Sequence, residues 1–228
     1  MANGPPDAGS DGVAAQYAAK PPSYFANARN DIVAMLRTGP DAHSLEIGCG
    51  AGGTGRAAIA AGKAGHYTGI ELDPAAASIA REGLSEVIEG NVEQLDLSTL
   101  AGRYDSLIAS EVLEHLIDPW AAVAKLARCL KPGAAVFASS PNVSHWHVIR
   151  DLVRGRFNYT ESGTMDRTHL HWFTPASYCA MFEAAGIEVL RVEPIRTPGG
   201  HARLLNSLTG GRLAHLSMSQ IMLSGRKR

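Results

Sequence analysis

The chain has 228 residues, a formal net charge of −1, 45% apolar residues and 19% charged ones. That length suits one α/β domain with a sizeable core, and the near-neutral balance argues against a surface built to grip a long nucleic-acid backbone. No apolar run approaches the roughly 20 residues a membrane-spanning helix needs, no basic start leads into an apolar secretory segment, and three scattered cysteines (Cys49, Cys129, Cys179) fit a reduced, cytoplasmic setting.

Residues 1–20 are rich in Gly, Pro, Ala and Asp and read as a disordered tail ahead of a single domain over 21–228. Apolar Phe25, Ile32, Val33 and Leu36 predict a helix over 24–36, broken by Gly and Pro between 38 and 41. A strand follows over 43–47, then an alanine-rich helix over 53–61 and a strand over 65–72. Asp73 and Pro74 predict the N-cap and first position of a helix over 74–83. A short strand over 87–89 precedes a near-continuous apolar strand over 104–110. An amphipathic helix over 120–130 is closed by Lys131-Pro132-Gly133, and another buried strand runs over 134–139. There the rhythm breaks. Residues 142–173 are long, aromatic and histidine-rich, before a helix over 175–185 and strands over 187–192 and 220–225. The alternation predicts a Rossmann-like, seven-stranded, mostly parallel sheet with helices on both faces and a cap insertion after the fifth strand. Cys129 and Cys179 read as small core residues.

The run Leu45-Glu46-Ile47-Gly48-Cys49-Gly50-Ala51-Gly52-Gly53-Thr54-Gly55 joins a strand to a helix. Its glycines let the backbone turn tightly and a ligand approach without a Cβ clash, and the helix start presents free N–H groups. Gly48, Gly50 and Gly53 also fit the G-x-G-x-x-G dinucleotide pattern, so an NAD-dependent dehydrogenase is the natural rival. Glu71 lies about twenty residues beyond the loop, where an acid can hold ribose hydroxyls. Asn91 and Val92 follow the third strand and can read an adenine edge.

These residues resemble the class I S-adenosylmethionine (SAM)-dependent methyltransferases. Leu45 to Gly52 resembles their first motif, an acid ahead of G-x-G-x-G, and Gly69 to Pro74 resembles their second. Tyr104 to Ile108 and Leu130 to Gly133 are similar to their fourth- and fifth-strand markers, which with the missing second cofactor half count against NAD. The resemblance implies that Glu46, Gly48, Cys49 and Gly50 face the amino-acid part of SAM, that Glu71 binds the ribose, and that Asn91 and Val92 contact the adenine. Ser110 and Glu111 would lie beside the methionine portion and the transferable methyl. Tyr24 and Arg29 are candidates to close over the cofactor, although a packing helix explains them equally well.

Glu111, Glu114 and His115 are three and four residues apart, which in a helical turn puts them on one face. Two carboxylates and an imidazole there suit a divalent metal or a general base held by an acid. With Pro141-Asn142 and the later His169, the E-x-x-E-H run resembles small-RNA 2′-O-methyltransferases, which hold a metal with two Glu and two His. That resemblance implies Glu111, Glu114, His115 and His169 as ligands of Mg²⁺ or another divalent ion, with His171 second choice for the last. The E-V-L-E-H run alone also resembles ubiquinone-pathway O-methyltransferases.

The nearest overall resemblance, through Pro141-Asn142-Val143, His145-Trp146, Arg156 to Tyr159 and Asp166 to His169, is to bacterial methyltransferases encoded with glycan and polysaccharide assembly enzymes. It implies a small-molecule or glycan acceptor, with His115, His169 and Glu111 as catalytic residues. Small-molecule N- or O-methylation and RNA 2′-O-methylation are the other readings. Residues 142–173 are the candidate substrate cap, where Arg150, Arg154, Arg156 and Arg167 can meet a phosphate or carboxylate, or simply form a solvated face. Oligomeric state is open, a homodimer included.

Overall fold

The computed structural model describes residues 28–37, 39–195, 199–200 and 206–228. The expected tail, and Tyr24 and Phe25 of the leading helix, lie outside the described residues. The seven strands follow the order β3-β2-β1-β4-β5-β7-β6. The chain divides into two compact units after Asp96.

In the first unit, α1 (Asn30–Met35) packs Ile32 and Val33 inward. It is followed by β1 (His43–Ile47), α2 (Gly53–Ala60), β2 (His66–Glu71), α3 (Pro74–Ala80) and β3 (Glu86–Glu89). The three strands are parallel, β2 pairing with β1 on one side and β3 on the other. The Asp73-Pro74 signal is borne out: the Asp73 carboxylate accepts from the Ala76 N–H at 2.7 Å. Gly55 lets α2 settle onto β2. A Cβ there would lie 2.3 Å from Leu84 Cδ2 and 2.7 Å from Tyr67 Cδ1. Gly55→Ala is therefore expected to destabilise the protein by about 1–3 kcal/mol through overpacking, read as a lower denaturation midpoint; an unchanged midpoint would contradict this packing.

The second unit holds β4 (Tyr104–Ser110), α4 (Pro119–Cys129), β5 (Leu130–Pro141), α5 (Trp146–Val153), α6 (Pro175–Ala184), β6 (Ile187–Pro194) and β7 (Gln220–Lys227). β4 and β5 are parallel, whereas β7 runs antiparallel to both β5 and β6. Lys131-Pro132-Gly133 does not form a separate turn after the helix. Leu130 already pairs with Tyr104, and the register then jumps to Ser106↔Ala135, so these residues bulge out of the ladder. Gly133 takes φ +78° there, and Lys131 Nζ reaches Asp105 at 2.8 Å. Cys129 is buried as expected, but Cys179 is only half-buried.

The insertion after β5 carries α5 and is closed by the bridges Asn142↔Phe173 and Thr160↔Asp166. Asn142 is a clamp: its amide donates to the His215 and Met218 carbonyls, and its oxygen accepts from the Ser144 N–H and hydroxyl. Every bonding position of that buried side chain is spent on the fold. Among the described residues no helix is long and apolar enough to cross a membrane.

Candidate active site

In the first unit the glycine loop leaves β1 and turns into α2. Gly48, Gly50 and Gly52 take φ of +63°, +54° and +79°, values that side chains disfavour. Gly53 opens the helix instead. The backbone thus needs glycine in the G-x-G-x-G pattern and not at the third position of the dinucleotide pattern. The loop is held by Glu71 at the end of β2, whose carboxylate accepts from the Gly50 N–H at 2.7 Å and the Asp73 N–H at 2.9 Å. Burial raises the Glu71 pKa, against the pull of those backbone N–H groups. A carboxylate has about four acceptor positions, so backbone N–H groups of Gly50, Leu72 and Asp73 leave capacity for a hydroxyl group of a ligand.

Glu46 is buried in β1 and accepts from the Tyr67 hydroxyl at 2.9 Å. Burial pushes its pKa up to about 8, only partly offset by the Tyr67 and Thr54 hydrogen bonds. Cys49 is buried too, and burial holds its thiol far above the usual range, so it is no nucleophile. Beyond β3, Asn91 Oδ1 caps the turn by accepting from the Glu93 N–H at 2.9 Å, and Val92 is buried beside it. The Arg29 guanidinium is bound to Asp31 at 2.8 Å rather than reaching across the loop.

The second unit holds the titratable cluster. Ser110 ends β4, its hydroxyl 3.1 Å from that of Ser139. Glu111 then reverses the chain at φ +54°, rare for a side-chain-bearing residue. The helical turn expected from residue spacing is absent: only a 3₁₀ turn over Leu113–His115 forms. Glu111 is not one of the three side chains whose ligand atoms converge, although its charge acts on Glu114. Its carboxylate accepts instead from Gln220 Nε2 at 3.1 Å.

His169 takes its place. Glu114, His115 and His169, 1%, 5% and 8% exposed, bring one ligand atom each within 4.8 Å of one another. The imidazoles of His115 and His169 meet edge to face, 4.7 Å between centroids. The cap positions them. Leu170 and His171 N–H groups donate to the Glu114 carbonyl at 2.8 and 3.0 Å. His115 Nδ1 lies 3.1 Å from the Thr168 carbonyl, and His169 Nδ1 lies 3.2 Å from that of Thr164. A carbonyl only accepts, so each Nδ1 carries the proton and each Nε2 keeps a lone pair. Asp166 braces the arrangement by accepting from the Thr168 N–H and hydroxyl at 2.9 and 2.8 Å. Burial, with the Glu111 charge next, raises the Glu114 pKa well above the usual range, against the pull of the neighbouring Ser140 hydroxyl.

The other cap histidines lie outside this group. His171 bonds the Ile117 carbonyl at 3.1 Å and meets Trp120 edge-on, while His145 and His147 stack on each other. Arg150 and Arg156 pair with Asp151, and Arg167 pairs with Glu161. Three of the four arginines proposed for an anionic acceptor thus spend their charge within the cap. Sequence reasoning missed Tyr67, Thr164, Thr168 and Gln220, because strand pairing and loop carbonyls bring them to the site, not spacing.

A glycine loop of this pattern, acids at the ends of β1 and β2, and this strand order define the Rossmann-like fold of SAM-dependent methyltransferases. The methyltransferase domain model matches residues 22–192, and the chain belongs to that family. It is 30% identical to the ubiquinone biosynthesis O-methyltransferase of Aeromonas salmonicida, over 64% of this chain and 62% of that protein. It is 28% identical to the trans-aconitate 2-methyltransferase of Deinococcus radiodurans, over 74% of this chain and 69% of that one. The chain spans about three-fifths of the length of the first ubiquinone-pathway relatives it matches. Among solved structures, a SAM-dependent methyltransferase from Mesorhizobium loti superposes with a TM-score of 0.61 at 16% identity, covering 87% of this chain and 96% of that one. The [4+2]-cyclase SpnF superposes at 0.58 and 22% identity, covering 86% and 79%. One fold thus accompanies different chemistries, and the reaction must be argued from the site.

Proposed function

We propose that the chain transfers the methyl group of SAM to a hydroxyl of a sugar, glycan precursor or related polar metabolite. The observation that carries this reading is the buried Glu114–His115–His169 group, in which a backbone carbonyl orients each imidazole through its Nδ1. An amine acceptor needs no such device, because it is nucleophilic once neutral. An alcohol is a poor nucleophile at neutral pH and must lose its proton as the new bond forms. The cluster can meet that need by taking the proton on an imidazole or by holding a cation that acidifies the hydroxyl. The oxygen then bonds to the methyl carbon, the carbon–sulfur bond breaks, and its electron pair stays on sulfur, leaving neutral S-adenosylhomocysteine.

In this reading Gly48, Cys49, Gly50 and Glu46 hold the amino-acid end of SAM, Glu71 the ribose, and Asn91 and Val92 the adenine. Ser110 and Glu111 lie toward the methionine portion. The cap aromatics Phe157, Tyr159 and Trp172, with centroids 5.6–6.0 Å apart, offer apolar faces to an acceptor ring. The relatives named for ubiquinone biosynthesis support a second reading, in which the acceptor hydroxyl is a phenol.

A labelled-methyl screen against sugars, nucleotide-sugars, phenols, amines and short RNA tests the proposal. Transfer to sugar hydroxyls is expected, and product on phenols alone selects the second reading. Transfer only to amines, or no SAM binding by calorimetry, overturns both.

A further inference from the structure

We propose that α5 and the arginines around its C-terminal end form a surface that lays the cap onto an anionic lipid bilayer. The inference goes beyond the methyl-transfer reading and does not rest on it, because binding to lipid is read without SAM or acceptor.

The helix α5 (Trp146–Val153) contains no buried residue. Half of its eight residues, Trp146, Ile149, Leu152 and Val153, are exposed large apolar side chains, Val153 at 83%. At 3.6 residues per turn these four share one side of the helix, an arc of about 120°. Such a side normally turns toward a core, because tertiary burial supplies most of a short helix's stability. Here it faces outward. Single apolar residues scattered over a surface need no explanation, whereas four along one helix side mark an interaction surface.

The charge beside that side selects the occupant. Over residues 146–156, Arg150, Arg154 and Arg156 stand against one acid, Asp151, on a chain whose formal net charge is −1. Arg150 and Arg156 both reach Asp151, at 3.2 and 2.9 Å, and one carboxylate cannot neutralise two guanidiniums. The segment keeps a formal surplus of two positive charges. Arg150 borders the apolar side, its guanidinium carbon 5.2 Å from the Trp146 ring centre. Arg154 caps the helix and is exposed. This is the pattern of a helix lying in the plane of a membrane interface. Apolar residues enter the acyl boundary, the indole sits at headgroup level, and arginines reach the phosphates.

Other occupants suit the surface less well. A twofold contact between two copies through α5 sets the same arginines against each other. A nucleic-acid backbone matches the charge but leaves Ile149, Leu152 and Val153 in water. Eight residues are few, so binding is reversible and needs both the apolar and the charged part. The same insertion supplies the Thr164 and Thr168 carbonyls beside His169 and His115, so docking brings the cap to acceptors anchored in lipid.

The test is flotation of the full chain with vesicles of phosphatidylcholine, alone or with an equal share of phosphatidylglycerol. Binding to the mixed vesicles is expected, at least about tenfold tighter than to phosphatidylcholine alone and weakened at about 1 M salt, where charge attraction is screened. R154A is expected to weaken it about fivefold, the share of one surface charge, and L152D combined with V153D by more than about 30-fold. All three positions are exposed, so the fold is kept, which circular dichroism checks; if a variant unfolds, the wild-type comparison of the two vesicle types decides alone. No binding to the mixed vesicles overturns the proposal, as do equal binding to both types and binding that survives L152D with V153D. Salt-sensitive binding to short RNA instead of vesicles overturns it too. So does a chain that is dimeric by light scattering and made monomeric by L152D with V153D, since a second copy then covers α5.

Discussion

His169→Ala is expected to lower kcat by about 10²–10⁴-fold, the range over which a positioned proton acceptor acts, while the Kd for SAM stays within about twofold because no proposed cofactor residue is replaced. His169 is 8% exposed, its Nδ1 lies against the Thr164 carbonyl, and its ring belongs to the cluster with Glu114 and His115. Removing the ring deletes either a base or a ligand, and both losses fall on the chemical step. His171→Ala is the matched control. Its ring bonds the Ile117 carbonyl and touches Trp120, so it should change kcat by only a few-fold. Single-turnover methyl transfer on both variants checks the contrast. Equal rates for His169→Ala and the wild type would remove the cluster from the mechanism.

Much of this architecture is legible in the chain. Strand β4 has the predicted bounds because an apolar run over Tyr104–Ser110 admits few alternatives, and α3 starts where Asp73 and Pro74 say it must. What escaped has a common cause: helical spacing carries meaning only if a helix forms. Glu111 fits the i, i+3, i+4 pattern with Glu114 and His115, but the chain leaves β4 through a left-handed residue and makes only one 3₁₀ turn. His169 was named from a resemblance rather than from spacing. Its partners, the carbonyls of Thr164 and Thr168, are backbone atoms that no residue pattern reveals. The bulge at Lys131-Pro132-Gly133 was hidden for a similar reason. Gly and Pro announce a break in regular backbone, and only the partner strand decides whether that break ends an element or interrupts one.

SAM affinity and protein stability are expected to move in opposite directions with pH, both through Glu46. Its folded-state pKa is raised to about 8 from an ordinary value of 4.5, with burial as the main cause. Between those values the folded chain holds a proton that the unfolded chain has released. Stability without ligand therefore falls as pH rises, by up to about 1.4 kcal/mol per pH unit from this group. Binding has the other sign. If Glu46 faces the ammonium of SAM as proposed, it must ionise to pair with that charge, so binding releases a proton. Affinity should then rise by up to about tenfold per pH unit below 7, before the α-amino group of SAM begins to titrate near 7.7–8.0. Calorimetry at pH 6 and 7, in two buffers of different ionisation enthalpy, counts the proton directly. Glu46→Gln should flatten both slopes. Tyr67→Phe removes the hydrogen bond that favours the ionised form, so the affinity curve should move to higher pH. A pH-independent Kd in the wild type would mean that Glu46 does not meet the SAM ammonium.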